Sequence, residues 1–277
     1  MHFGSLLAAM ASYCEARRKN LPWLLRIDDI DGPRSTPGSS ERIQNSLKRY
    51  GLNWDKQVYW QSKHQARYRD SLRQLVQQGL VYRCNCSRKS LRTYELYPGH
   101  CRNNVLLESS SPIGDYALRL RMPEGVQFTD AIQGAQSVNF KRHIGDIVIW
   151  RRDGLVSYSL ACAVDDATDC SEVVRGADLL PSTAAQIAIM NYLDLPVPTY
   201  AHIPVAVDNN DDKLSKHSKA ATLDTMDPLS TLQKAWQFLG QQAFAATTIE
   251  TFWSQAPKGW QMNGVPLKLR MAQWSDE

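Results

Sequence analysis

The chain has 277 residues, 43% of them hydrophobic and 22% charged, which is enough apolar material for a sizeable core in one large domain or two small ones. No run reaches the roughly 20 apolar residues of a membrane-spanning helix, and the start lacks the basic region and apolar stretch of a signal peptide, so the chain reads as cytoplasmic with no membrane partner. A net charge of +4 suits a polyanionic partner but is mild for a dedicated nucleic-acid binder.

Leu6, Leu7, Met10, Tyr13 and Cys14 recur at helical spacing, and Arg17, Arg18 and Lys19 put positive charge at the helix's negative end. His2-Phe3-Gly4-Ser5 opens this helix with a glycine and a hydroxyl, where free N–H groups and the dipole form an anion site. Pro22 to Ile27 reads as a strand that delivers Asp28, Asp29 and Asp31 at its carboxyl end, where open parallel sheets bind ligands. Two helices follow, from Ser40 to Tyr50 with a stop at Gly51, and from Arg67 to Gln78 with Tyr68, Leu72, Leu75 and Val76 on one face.

From Cys84 to about Gly145 the composition changes to cysteines, turn residues and the alternating Tyr116, Leu118, Leu120 and Met122. This predicts a small insertion with its own strands. Ile147–Trp150 and Glu172–Arg175 then read as strands, followed by one over Ile203–Val207, with helices after Leu155 and from Ser182 to Leu193 between them. Strands alternating with helices predict an α/β fold, a Rossmann-like doubly wound parallel sheet. The expected division is a Rossmann-like domain over 1–83 and 146–220, an insertion over 84–145 and a helical tail over 221–277.

The chemistry-bearing residues stand at fixed points of this plan. Asp212-Lys213-Leu214-Ser215-Lys216-His217 is a polar loop that brings two ammonium groups to the end of a sheet, where they suit a phosphate. Asp28 offers an anion for an ammonium group, Arg175 a fork-shaped donor for a carboxylate and Tyr158 a directional hydroxyl. Cys84, Cys86 and Cys101 offer three thiolates, and Tyr97 a phenol or His100 an imidazole, where zinc prefers four ligands. Taken singly, each has an ordinary reading as a surface loop, a turn, a packed ring or an unlinked thiol. Their order and separation carry the weight.

The two outer stretches resemble the signature pair of class I aminoacyl-tRNA synthetases, His-x-Gly-His and Lys-Met-Ser-Lys-Ser. Leu24 to Asp31 and Glu172 to Leu179 resemble the glutamate-specific branch. Over nearly the whole chain the resemblance is to the glutamyl-Q tRNA(Asp) synthetase family, in which Ser replaces the second histidine of the first signature and the anticodon-binding domain is absent. It implies a monomeric ligase that activates glutamate with ATP and Mg2+ and transfers it to the queuosine base in the anticodon stem-loop of tRNA(Asp). It also implies that His2, Lys213 and Lys216 are catalytic, and that His2, Gly4, Ser5, Lys213, Ser215 and Lys216 surround ATP. Asp28, Tyr158 and Arg175 would surround glutamate, and Cys84, Cys86, Tyr97 and Cys101 would bind zinc, with the phenol favoured over His100.

Two departures stand out. The family carries Glu at the place of Asp28, and its members have a strand before the first signature, expected at the centre of the sheet. A start codon set too far downstream, or an impaired form, is the expectation. The competing readings are a fragment of an ordinary glutamyl-tRNA synthetase charging a tRNA 3′ end, and a non-catalytic tRNA-binding module.

Overall fold

The computed structural model describes residues 1–30, 36–104, 116–207, 223–268 and 270–272. Helix α1 (Phe3–Arg18) forms where the apolar spacing predicts it, with Leu6, Leu7, Met10 and Cys14 fully buried. Its first turn is capped by His2, whose Nδ1 accepts from the Ser5 amide at 3.3 Å. Strand β1 (Arg26–Ile27), helix α2 (Ser39–Arg49), strand β2 (Tyr59–Trp60) and helix α3 (Gln65–Gln77) follow. β1 and β2 pair in parallel, with Arg26 opposite Tyr59, and α3 buries Tyr68, Leu72 and Leu75.

The next elements are β3 (Val81–Cys84), the short α4 (Arg88–Leu91), β4 (Ala117–Leu120), the hairpin of β5 (Gly125–Asp130) and β6 (Gly134–Asn139), α5 (Phe140–His143) and β7 (Val148–Trp150). β3, β4 and β7 form an antiparallel sheet. The segment Ile147–Trp150, expected to resume the parallel sheet, pairs instead with β4, with Trp150 opposite Leu118. A buried apolar run marks a strand but does not name its neighbour.

Helix α6 (Tyr158–Asp169), β8 (Glu172–Gly176), α7 (Leu180–Tyr192), β9 (Thr199–Ile203) and β10 (Val205–Val207) complete the centre. Here the strand order is β6-β5-β9-β8, with β8 and β9 parallel and Arg175 directly opposite His202. β5 joins β9 in parallel through Asp130, opposite Tyr200. The strand expected over Ile203–Val207 is divided at Pro204, which has no N–H to donate: the part before it belongs to β9, and β10 pairs with β11 (Arg270–Ala272). The fold is α/β as expected. Its described strands, however, form four sheets, two parallel, one antiparallel and one mixed, rather than one uniformly parallel one.

Two apolar clusters hold these layers. One gathers α3, α6 and α7 against β4 and β7, and the other gathers α1, α8 (Pro228–Phe238) and α9 (Ile249–Gly259) against β9. α9 lies in the stretch expected to be a helical tail. Its capping box uses Thr251 where Glu or Gln is usual, and Pro257 sits inside it, so the standard helix signals are weak. Glu15, buried on α1, accepts from Trp260 Nε1 at 2.9 Å and ties this tail to the first helix. Replacing Leu7 by Ala removes a side chain with no exposure from the α1 cluster and is expected to lower stability by about 3 kcal/mol, measured by urea unfolding.

Candidate active site

At the start of α1, Ser5 Oγ lies 3.0 Å from His2 Nε2. A Cβ on Gly4 would stand 3.3 Å from the same ring, so the missing side chain leaves the imidazole room against the first turn. The amides of that turn carry the positive end of the helix dipole. Lys213, Ser215 and Lys216 lie outside the described residues.

Beyond β1, Asp28 Oδ1 accepts from Arg26 Nε at 2.7 Å. The same guanidinium pairs with Asp166 and reaches Cys162 Sγ at 3.2 Å. Cys162 lies one turn after Tyr158 on α6 and is 3.9 Å from Asp28 Oδ2. Desolvation raises the Tyr158 phenol above its ordinary pKa, Cys162 and Asp28 add to this, and Arg175 opposes it. Asp28, Tyr158, Cys162 and Arg175 therefore share one electrostatic environment. Asp166 is also pushed up by burial, against the pull of Arg26 and Arg175.

Arg175 is only 8% exposed. Its Nε donates to His202 Nε2 at 3.3 Å, and Nη2 donates to Thr183 Oγ1 and Gln186 Oε1, both at 2.6 Å. The guanidinium carbon lies 5.0 Å from the centre of the Tyr200 ring. Nη1 has no hydrogen-bond partner among the described residues. His202 Nδ1 is 2.6 Å from Asp130 Oδ2. With Nε2 accepting from Arg175, the ring proton sits on Nδ1 and points at that carboxylate.

The three thiols of Cys84, Cys86 and Cys101 lie within 4.8 Å of one another. Cys86 and Cys101 are 3.6 Å apart, close to the ~3.8 Å edge of a tetrahedron built on zinc–sulfur bonds of about 2.3 Å. Tyr97 Oη is 3.5 Å from Cys84 Sγ and accepts from the Cys101 amide at 3.0 Å. His100 packs edge-on against Tyr94 instead and is not in the thiol cluster. Burial favours the neutral Cys84 thiol, but hydrogen bonds from Tyr97 and Arg119 outweigh it and bring the pKa down to about 7. Loss of water, with the neighbouring thiols, pushes Cys86 up to about 11. This donor set fits a soft divalent metal.

Residues 1–252 match a family described as tRNA synthetases class I (E and Q), catalytic domain. Curated relatives named glutamyl-Q tRNA(Asp) synthetase include one from Escherichia coli O157:H7, 43% identical over 272 residues, covering 96% of this chain and 87% of the relative. Another, from Synechococcus, is 44% identical over 250 residues, covering 87% of this chain and 83% of the relative. The chain belongs to this class I synthetase family. The fold is also similar to the crystal structure of glutamate-tRNA synthetase from Elizabethkingia anophelis, with TM-score 0.79 at 20% identity. That match covers 100% of this chain and 66% of the other.

Asp28, just after β1, meets Cys162 of α6 at 3.9 Å, one turn from Tyr158, and Arg175 of β8 acts electrostatically on the Tyr158 phenol. Sequence reasoning missed Arg26, Cys162 and Asp166, which share that cluster, and Thr183, Gln186, His202 and Asp130, which hold Arg175. His202 and Asp130 had one available signal: a histidine and an aspartate inside otherwise buried strand sequence need partners. β1 and β8 are each the last strand of their sheet among the described residues, and both line a groove of about 590 Å³.

Burial opposes the charge on Asp130, but the hydrogen bonds from His202 and from the amides of Gln133 and His202 hold its carboxyl below the usual range. Its contribution to stability is then fully present above the unfolded value of about 4, and is lost as pH falls through the lower folded value. Urea midpoints measured from pH 7 downwards are expected to fall more steeply below pH ~4 for the parent than for Asp130→Asn.

Proposed function

We propose that this chain activates glutamate with ATP and transfers it to the queuosine base of tRNA(Asp). The supporting observation is the match, at 43% identity over 96% of the chain, to proteins named for that activity. In the first step a carboxylate oxygen of glutamate attacks the α-phosphate of ATP, a phosphorus–oxygen bond forms as the bond to the β-phosphate breaks, and pyrophosphate leaves; Mg2+ would accompany the nucleotide and offset its charge. Charge accumulates on phosphoryl oxygens, so the protein's contribution is positioning and electrostatic stabilisation. In the second step a hydroxyl of the queuosine base attacks the activated carbonyl and AMP leaves.

His2, Gly4 and Ser5 present the α1 N-terminus to the nucleotide. Lys213, Ser215 and Lys216 hold the departing phosphates, and Lys213 and Lys216 with His2 are the catalytic groups of this reading. Arg175 and Tyr158 address the carboxylate and polar groups of glutamate, and Asp28 its ammonium. Asp28 is already paired with Arg26, so its hold on the ammonium is weaker than that of an unpaired carboxylate. Cys84, Cys86, Cys101 and Tyr97 would hold zinc, which would fix the insertion in place and take no part in the reaction. The acceptor base lies in an unpaired loop, from which it can be splayed into a pocket. The reading places a monomeric enzyme in the cytoplasm; no described helix is long and apolar enough to cross a membrane.

Glutamate-dependent ATP–pyrophosphate exchange without tRNA, followed by glutamylation of tRNA(Asp) with and without queuosine, tests this reading. Exchange together with queuosine-dependent labelling is expected, whereas labelling of a tRNA 3′ end would replace it with ordinary charging. Lys216→Ala is expected to lower the exchange rate by roughly 100-fold or more while leaving the melting temperature unchanged. Metal analysis is expected to find one zinc per chain, lost in a Cys86→Ser, Cys101→Ser double variant.

A further inference from the structure

The network behind Arg175 uses its donors selectively. Nε is spent on His202, and both N–H groups of Nη2 have acceptors in Thr183 and Gln186. Nη1 has none among the described residues. A guanidinium held at two of its three nitrogens can present the third in one direction only.

The holding groups are themselves fixed. His202 has no exposure and faces Arg175 because β8 and β9 are in register at that pair. Its other ring nitrogen is bound to Asp130, which also accepts from the amides of Ile132 and Gln133 at 3.0 and 2.8 Å. Thr183 Oγ1, on α7, lies 2.8 Å from His202 Nε2 and 3.0 Å from the Leu179 carbonyl it can donate to. Asp130, His202 and Thr183 therefore come from β5, β9 and α7 and converge on one side of a single guanidinium.

We propose that His202, oriented by Asp130 and assisted by Thr183, is a positioning residue that aims the free edge of Arg175 at the side-chain carboxylate of the amino-acid substrate and so sets the preference for glutamate over glutamine. This inference rests on the reading of Arg175 as a glutamate-binding residue. His202 touches no substrate; it acts by keeping Nη1 directed. A rotated guanidinium would still carry its charge but would lose its alignment with a planar carboxylate.

The test is ATP–pyrophosphate exchange with L-glutamate and with L-glutamine, with the KM for each amino acid and for ATP measured separately. Arg175→Lys comes first and is expected to raise the glutamate KM by roughly tenfold or more. An unchanged value would overturn the glutamate reading and this inference with it. His202→Leu is then expected to raise the glutamate KM by about tenfold and to reduce the glutamate-over-glutamine ratio of kcat/KM by a similar factor, with the ATP KM within about twofold of the parent. His202→Gln is expected to recover most of both, since its amide oxygen can accept from Arg175 while its NH2 donates to Asp130. A sensitive Arg175→Lys with a His202→Leu that leaves glutamate KM and preference intact, or that impairs both substrates equally, would overturn the positioning role. Should His202→Leu not fold, Thr183→Val, which keeps the shape and deletes one hydroxyl, carries the same test. A several-fold rise in the glutamate KM alone is expected, and no rise overturns the proposal.

Discussion

The arrangement of the site depends on two consecutive buried acids in the middle of α6. β1 and β2 form a sheet of their own among the described residues, so no backbone ladder fixes Asp28 relative to Tyr158. Side chains do it instead. Asp165, with 1% exposure, accepts from Tyr59 at 2.9 Å, Gln61 at 2.9 Å and Tyr68 at 2.7 Å, which belong to β2, the turn after it and α3. Asp166 takes Arg26 of β1. A buried carboxylate is costly unless its lone pairs are met, and here three neutral donors and, at 3.5 Å, Arg67 meet one carboxylate while Arg26 meets the other. Burial, reinforced by Asp165, raises the Tyr59 and Tyr68 phenols and keeps them protonated as donors.

The thiol cluster is anchored by a similar device. Asp146 is buried beside the β3-β4-β7 sheet and accepts from Tyr82 Oη at 2.7 Å and the Met122 amide at 2.9 Å. Arg119 of β4 donates to the Asp146 carbonyl at 2.6 Å and stacks its guanidinium 3.7 Å from the centre of the Tyr97 ring. Gly145 lies in the left-handed region at φ +75°, and a Cβ there would meet the Tyr97 carbonyl oxygen at 3.2 Å. The residue that brings the phenol to the thiols is therefore clamped from one side by a cation and from the other by a turn only glycine enters easily. β7 leads through a turn closed by the Trp150–Val156 bridge to Ser157, the cap of α6, and so into Tyr158.

Local patterns in the chain carried the helices. The apolar spacing of α1 and α3 was readable because each buries one dominant stripe, whereas α7 is buried on nearly every side. Pairing was not readable, because partners lie far apart in sequence: Ile147–Trp150 looked like a central parallel strand and belongs to an antiparallel sheet. Pro204 could have warned that Ile203–Val207 is not one strand. The types of the site residues were legible, but their environments were not. Arg175 could be recognised as a fork, yet nothing local announces that most of its donors face inward. The lysine signature, Lys213 to Lys216, lies outside the described residues.

These two halves of the site treat charge differently, and the difference follows from the sheet. On the β1 side, Arg26 is shared among Asp28, Asp166 and Cys162, so the acids there are largely neutralised by a cation of the protein itself. On the β8 side, Arg175 is surrounded by neutral acceptors, a histidine ring, a hydroxyl and an amide, which orient it without cancelling its charge. No carboxylate hydrogen-bonds to it among the described residues: Asp130 acts through His202 and is a ring away, and Asp166 acts only through space. A guanidinium fixed by neutral partners keeps its full attraction for an incoming carboxylate, and the entropy of orienting it is already spent on folding. A guanidinium fixed by acids would be equally rigid but electrostatically satisfied. On the proposed function, that contrast makes the β8 side the stronger determinant of which amino acid binds, and leaves the β1 side to fix the shape of the pocket.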